Sequence, residues 1–223
     1  MEIRRALTSQ VAAGADLLAR AFLQDPGACR LYRREGSRRK GLEGRFASMM
    51  TRPGVAVDVA VEHDGTEIAC AVWAPGEGPP GHRAEPPSVI AEFRALASHP
   101  SAGLRMLMAA PALRRLEGRC GSPGCRILVA IGVEPCLRGL GIGAALLSHG
   151  LVEVDSRRAP CYLETTNATN IVFYVRHGFQ VAGFATPLGS VRTIAMTRAP
   201  GGPVPRIGPT TLSSQSNPDE RSG

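Results

Sequence analysis

At 223 residues, 43% of them hydrophobic, the chain is long enough for one domain with a real core. Its formal charge of +7 suits an anionic ligand, but aromatic residues are only 4% and neither a base-stacking platform nor a recognition-helix pattern is visible, so a nucleic-acid partner is not expected. No apolar run approaches the roughly 18 residues of a membrane span, and the opening MEIRRAL lacks a signal peptide's apolar core, which together imply a cytoplasmic protein with no membrane partner.

In chain order, Ile3 to Leu7 reads as a strand, and Thr8 or Ser9 caps a helix to about Leu23 with Val11, Ala15, Leu18 and Phe22 on one face. Asp25 and Pro26 end it. Arg38 to Met50 carries a weaker helical pattern through Leu42, Phe46 and Met49, and Val55 to Val61 and Glu67 to Ala74 form a hairpin around His63-Asp64-Gly65, closed by Trp73 as a core plug. Pro75 to Pro87 is too rich in proline and glycine for regular structure, and Val89 to Ala97 and Leu104 to Leu116 then look helical. The second of these places Leu104, Leu107, Met108, Leu113 and Leu116 on its apolar side, with a kink expected at Pro111.

The organising stretch is ILVAIGVEPCLRGLGIGAALLS, Ile127 to Ser148. Its apolar β-branched run suits a strand buried on both faces; Glu134-Pro135-Cys136 breaks the ladder, and glycines at 139, 141 and 143 precede a helix. Strand, glycine turn and helix together aim backbone N–H groups and the positive end of a helix dipole at one point, an anion site. Cys161 to Thr165 follows as a strand, Asn167 to His177 as a helix, and Phe179 to Phe184 and Val191 to Thr197 as closing strands. Strands and helices alternating after an opening hairpin indicate an α/β (α+β) fold, a mixed sheet with helices on both faces. One domain spans residues 1–198. Residues 199–223 hold Pro, Gly, Ser and Thr with few large apolar side chains, the composition of a disordered tail.

Three phosphate-binding families use such a turn. The Walker type is excluded because no Gly-Lys-Ser/Thr closes the loop. A dinucleotide fingerprint fits GLGIGA loosely, with Glu164 ending a later strand. However, five residues including a proline separate strand from glycine, and too little sequence follows for the remaining βαβ units. The third is the Gcn5-related N-acetyltransferase superfamily, which the chain resembles through Arg138, Gly141 and Gly143 in VEPCLRGLGIG and through LETTNATNIVFYVRHGF at Leu163 to Phe179. Within it, AFLQDP at Ala21 to Pro26 and ACAVWAPGE from Ala69 on are similar to the puromycin N-acetyltransferase group.

That resemblance implies a mostly antiparallel twisted sheet and acetyl-CoA as co-substrate. Its pyrophosphate would lie on the N–H groups of Gly139, Leu140, Gly141, Ile142, Gly143 and Ala144, with the Arg138 side chain either touching a phosphate or shaping the turn, and its pantetheine arm along Ile131, Gly132 and Val133. The Val133 N–H would polarise the thioester carbonyl. Tyr174 matches the tyrosine that protonates the leaving thiolate, and Asn167 and Asn170 bind the cofactor or cap the helix. A base must free the acceptor nitrogen: Glu164 first, Glu134 or a water path otherwise. The expected reaction is transfer to a primary amine of a small molecule, an aminoacyl-type antibiotic among the candidates, by a monomer or homodimer. Acetylation of a protein amino group and a non-catalytic acyl-CoA-binding module are the alternatives. Six scattered cysteines (Cys29, Cys70, Cys120, Cys125, Cys136 and Cys161) read as reduced thiols, and five histidines offer no ligand pair, so no metal is expected.

Overall fold

The structure is a computed structural model that describes residues 1–76, 99–122 and 124–203. The expected helix at Val89 to Ala97, most of the Pro75 to Pro87 loop and the chain from 204 onward lie outside the described residues. Seven strands form one sheet: β1 (Glu2–Arg5), β2 (Ala56–Val61), β3 (Glu67–Pro75), β4 (Arg126–Val133), β5 (Cys161–Thr165), β6 (Gln180–Leu188) and β7 (Val191–Arg198). Their order is β1-β2-β3-β4-β5-β7-β6, and every neighbouring pair is antiparallel except β4 and β5.

On one face lie α1 (Val11–Ala21), α2 (Pro26–Leu31), α3 (Glu35–Met50) and α4 (Pro100–Cys120). Leu17, Leu18, Phe46 and Met50 pack there with Val57, Val59 and Val72 of the sheet, while Leu116 meets Tyr162 and Ala195. The other face carries α5 (Ile142–Ser156) and α6 (Asn170–Arg176), where Leu146, Leu147 and Leu151 pack against Trp73, Leu128, Leu163 and Met196. Trp73 is buried as expected, its indole against Gly150, where a Cβ would come within 2.3 Å of the ring.

Four readings need correction. Neither Thr8 nor Ser9 caps the first helix: both lie in a 3-10 turn, Thr8–Gln10, that leads into α1 with Gln10 at its N-cap. Asp25-Pro26 does not only end a helix. It starts α2, with the Asp25 carboxylate accepting the Ala28 N–H at 3.0 Å and Pro26 in the first turn, where its missing N–H costs nothing. On α4 the buried side is Ala102, Ala109 and Leu116, while Leu104, Leu107 and Met108 are exposed, and the helix runs through Pro111. The central strand is not buried on both faces throughout, because buried residues alternate with half-buried ones along β4.

That strand also carries a bulge. Val72 pairs with Ala130 and Trp73 with Leu128, so Val129 is extra on β4. Leu128 faces α5, Val129 and Ala130 both pack on the α1 side, and Ile131 returns to the α5 side. A bulge bends its strand and increases its twist, and here it coincides with the last β4–β5 pair, Leu128 with Leu163. Beyond that pair the two parallel strands diverge.

Candidate active site

The divergence of β4 from β5 opens a cleft of about 670 Å³. Ile131, Gly132 and Val133 form one wall, the turn from Leu137 to Ala144 the floor, Asn167, Asn170, Phe173 and Tyr174 of α6 and its approach the second wall. The α1–α2 connection contributes Phe22, Gln24 and Asp25.

The floor is shaped by backbone conformation. Gly139 has φ +85° and Gly141 φ +80°, a region that side-chain-bearing residues enter only at a cost of about 1–2 kcal/mol. A Cβ on either would meet no protein atom, so these two glycines serve conformation, leaving their outer surface open to a ligand. Gly143 is different: a Cβ there would stand 3.3 Å from the Val133 side chain, so its smallness lets α5 approach β4. The first bond of α5 is Ala145 N–H to Gly141 C=O, 3.0 Å, which leaves the N–H groups of Ile142, Gly143 and Ala144 without an acceptor within the helix. Three donors and a helix dipole thus converge on the cleft, as an anion site requires.

The expected cofactor residues largely converge on this cleft. Ile131, Gly132, Val133, Arg138, Gly139, Gly141, Ile142, Gly143, Ala144, Asn167 and Asn170 all line it; Leu140 does not, its side chain being 53% exposed. The Arg138 guanidinium donates to the Ala21 carbonyl at the end of α1, 2.7 Å, so it ties the turn to that helix. Gly132 packs close beneath α1, where a Cβ would lie 2.8 Å from the side chains of Ala21 and Leu18. The Asn167 side chain accepts from the Thr169 N–H at 3.1 Å and hydroxyl at 2.8 Å, fixing the turn into α6. On the β4 edge facing β5, pairing ends at Leu128, so Val129 to Val133 offers an extended backbone to the cleft.

Tyr174 is buried with its ring edge-on to Phe173 and Phe179, centroids 5.1 and 5.9 Å away. Burial, with the negative charge of Asp25 nearby, pushes its phenol above the ordinary range. The His-Gly-Phe block that follows explains its position. Gly178, at φ +84°, ends α6; the Phe179 N–H returns to the Tyr174 carbonyl at 3.1 Å, and His177 donates Nδ1–H to the Phe173 carbonyl at 2.8 Å.

The two carboxylates fare differently. Glu164 does not line the cleft; it extends from β5 on the sheet face opposite Tyr174's core, just beyond the last β4–β5 pair. Its carboxylate accepts the Tyr162 hydroxyl at 2.8 Å, and burial pushes it above the usual carboxylate range, with the Glu117 charge adding to the shift. Glu134 is held by Arg20, whose Nη2 and Nε reach its carboxylate at 2.7 and 3.1 Å, so it is committed to an ion pair. Sequence reasoning missed Asp25 and Gln24 as cleft residues; the Asp-Pro signal for a helix start was there to be read.

Comparison with known proteins agrees with this geometry. Residues 108–181, which contain the turn and every expected cofactor residue, match the family model for the acetyltransferase (GNAT) domain. Among solved structures, the chain is similar to a Corynebacterium glutamicum protein described as histone acetyltransferase HPA2 and related acetyltransferase (TM-score 0.60, 21% identity, 91% of this chain and 98% of that one). It is also similar to a mosquito arylalkylamine N-acetyltransferase like 5b (TM-score 0.59, 15% identity, 89% and 99%). A third is the polyamine N-acetyltransferase of Drosophila melanogaster (TM-score 0.56, 16% identity, 88% and 97%).

Proposed function

We propose that the chain is an acetyl-CoA-dependent N-acetyltransferase of the GNAT superfamily, as the match of residues 108–181 to that domain supports, and that it acetylates the primary amine of a small molecule by direct attack in a ternary complex. The observation that carries the reading is the meeting in one cleft of an N–H cradle, an unpaired β4 edge and a buried tyrosine. Acetyl-CoA supplies the acetyl group as a thioester. The N–H groups of Ile142, Gly143 and Ala144 would hold its pyrophosphate, and the backbone of Ile131 and Val133 its extended arm, with the Val133 N–H polarising the carbonyl as negative charge develops on oxygen.

The balance of the reaction is simple. A C–N bond forms to the acetyl carbon, the C–S bond breaks, the amine loses one proton and the thiolate gains one. Glu164 does not line the cleft, so it would accept the amine proton through a bridging water, its raised pKa making it a stronger base than an ordinary carboxylate. Tyr174 would deliver its hydroxyl proton to the thiolate. A small acceptor is favoured by the link between the α1–α2 and β5–α6 connections: Thr166 donates to Asp25 at 2.8 Å and receives the Gly27 N–H at 3.1 Å, which narrows the approach. Thiol release from acetyl-CoA, measured with small amines and with peptides bearing free N-termini or lysines, tests this. Turnover with small amines is expected, and turnover with peptides alone would overturn the small-molecule reading.

A further inference from the structure

Three charged side chains line the cleft, Asp25, Arg138 and Arg176, and Asp25 is the one carboxylate among the described residues that do so. Arg138 belongs to the floor and is turned back to α1. Asp25 stands at the other end of the problem, on the α1–α2 connection, where its carboxylate is fixed from two sides. The Ala28 N–H reaches Oδ1 at 3.0 Å, and the Thr166 hydroxyl reaches Oδ1 and Oδ2 at 2.8 and 3.0 Å. Those contacts orient the group without neutralising it, since no cation pairs with Asp25 among the described residues. Its charge is felt by the Tyr174 phenol, so carboxylate and phenol lie in range of one another at the same cleft.

We infer that Asp25 anchors the acceptor's ammonium group, which makes protonated primary alkylamines the substrate class and disfavours anionic acceptors. This rests on the acetyl-transfer reading above and deepens it. An alkylamine, with a pKa of about 10.4, arrives as a cation at neutral pH. A fixed carboxylate with spare lone pairs on Oδ2 gives that cation a charge-assisted hydrogen bond beside the reacting centre. Asp25 positions the amine; the ammonium gives its first proton to water before attack, and the second leaves through Glu164 or water as the C–N bond forms.

Asp25→Asn separates charge from structure, because Asn caps a helix as well as Asp and still accepts from Thr166; Asp25→Ser repeats the test with a different cap. The acceptors are phenethylamine and 1,4-diaminobutane. The control ligand is 2-phenylethanol, of the same shape as phenethylamine without the charge, measured as a competitive inhibitor. The expected result is a KM for both amines raised roughly 10- to 100-fold, the worth of a hydrogen bond to a charged group. The Ki of 2-phenylethanol and the Kd of acetyl-CoA stay at parental values. An unchanged amine KM, or an equal rise in the 2-phenylethanol Ki, overturns the anchor and leaves the acetyltransferase reading intact. A parent that turns over neither amine overturns the small-amine reading, and the anchor with it.

Discussion

The two walls of the cleft are built by different means. The floor and the β4 wall are set by backbone: two glycines at positive φ, a bulge at Val129 and a helix whose first N–H groups have no acceptor within the helix. The side proposed to take the acceptor is set by side chains drawn from distant parts of the chain, Asp25 held by Thr166. The lesson is that the donor half can be damaged by changing conformation, whereas the acceptor half can be altered by changing charge while the fold is kept.

The largest expected effect breaks the donor half. Gly141→Glu places a Cβ where φ is +80° and a negative charge among the N–H donors, so acetyl-CoA binding should vanish in calorimetry. Gly141→Asn, which tolerates the left-handed region, should retain it within about tenfold. Binding by the Glu variant as tight as the parent's would remove the anion site.

Tyr174→Phe tests the residue where the walls meet. The ring packing against Phe173 and Phe179 stays and only the hydroxyl goes, so kcat should fall by roughly 10² to 10⁴ while acetyl-CoA affinity persists. The parent should show a high-pH limb, lying above the usual tyrosine value because the folded phenol's pKa is raised, and the variant should lack it. Coincident profiles would make Tyr174 a packing residue.

Behind the donor half, Arg198 is fully buried and forks onto Asp155 of α5 at 2.6 and 2.9 Å, with its Nε on the His177 carbonyl at 3.0 Å. The Asp155 carboxylate, also receiving the Gly201 N–H at 2.9 Å, is held below the usual range by its bonds to Arg198. Asp155→Ala would leave a buried cation unpaired and should cost about 3 kcal/mol in chemical denaturation. Since the folded pKa is depressed, the contribution of this pair is present above the unfolded value near 3.9 and lost as pH falls through the folded one.

The smallest effect sharpens the acceptor half. Glu164→Gln should lower kcat/KM roughly tenfold near neutrality and recover at high pH, where the amine loses its proton unaided. The parent's low-pH limb should lie above the usual carboxylate value of about 4.3, because the folded carboxyl is shifted up. By the same sign, the buried ionised carboxylate costs stability as pH rises from that unfolded value through the folded one, a decline the Gln variant should escape. An unaltered low-pH limb would assign the proton to water.

How much of this was legible follows the same division. The strand, turn and helix around Gly141 were readable because every determinant is local: β-branched residues, a proline stop, glycines, then helical spacing. The bulge at Val129 was not, since an uninterrupted apolar run gives no sign of which residue is extra. Asp25 was misread because Asp-Pro marks both a stop and a start, and its link to Thr166 joins residues 141 apart. On α4 the spacing of Leu104, Leu107 and Met108 pointed to a face that is exposed, because large side chains marked the stripe while the small Ala102 and Ala109 are the ones covered.

The central claim is that the anion cradle and the bare edge of β4 receive acetyl-CoA together. Amide hydrogen exchange with and without acetyl-CoA reads both directly. Slowed exchange at Ile142 to Ala144 and along Val129 to Val133, with the outer strands β1 and β6 unchanged, is the predicted result. Binding that leaves those amides exchanging as before, or that protects β1 or β6 instead, would contradict it.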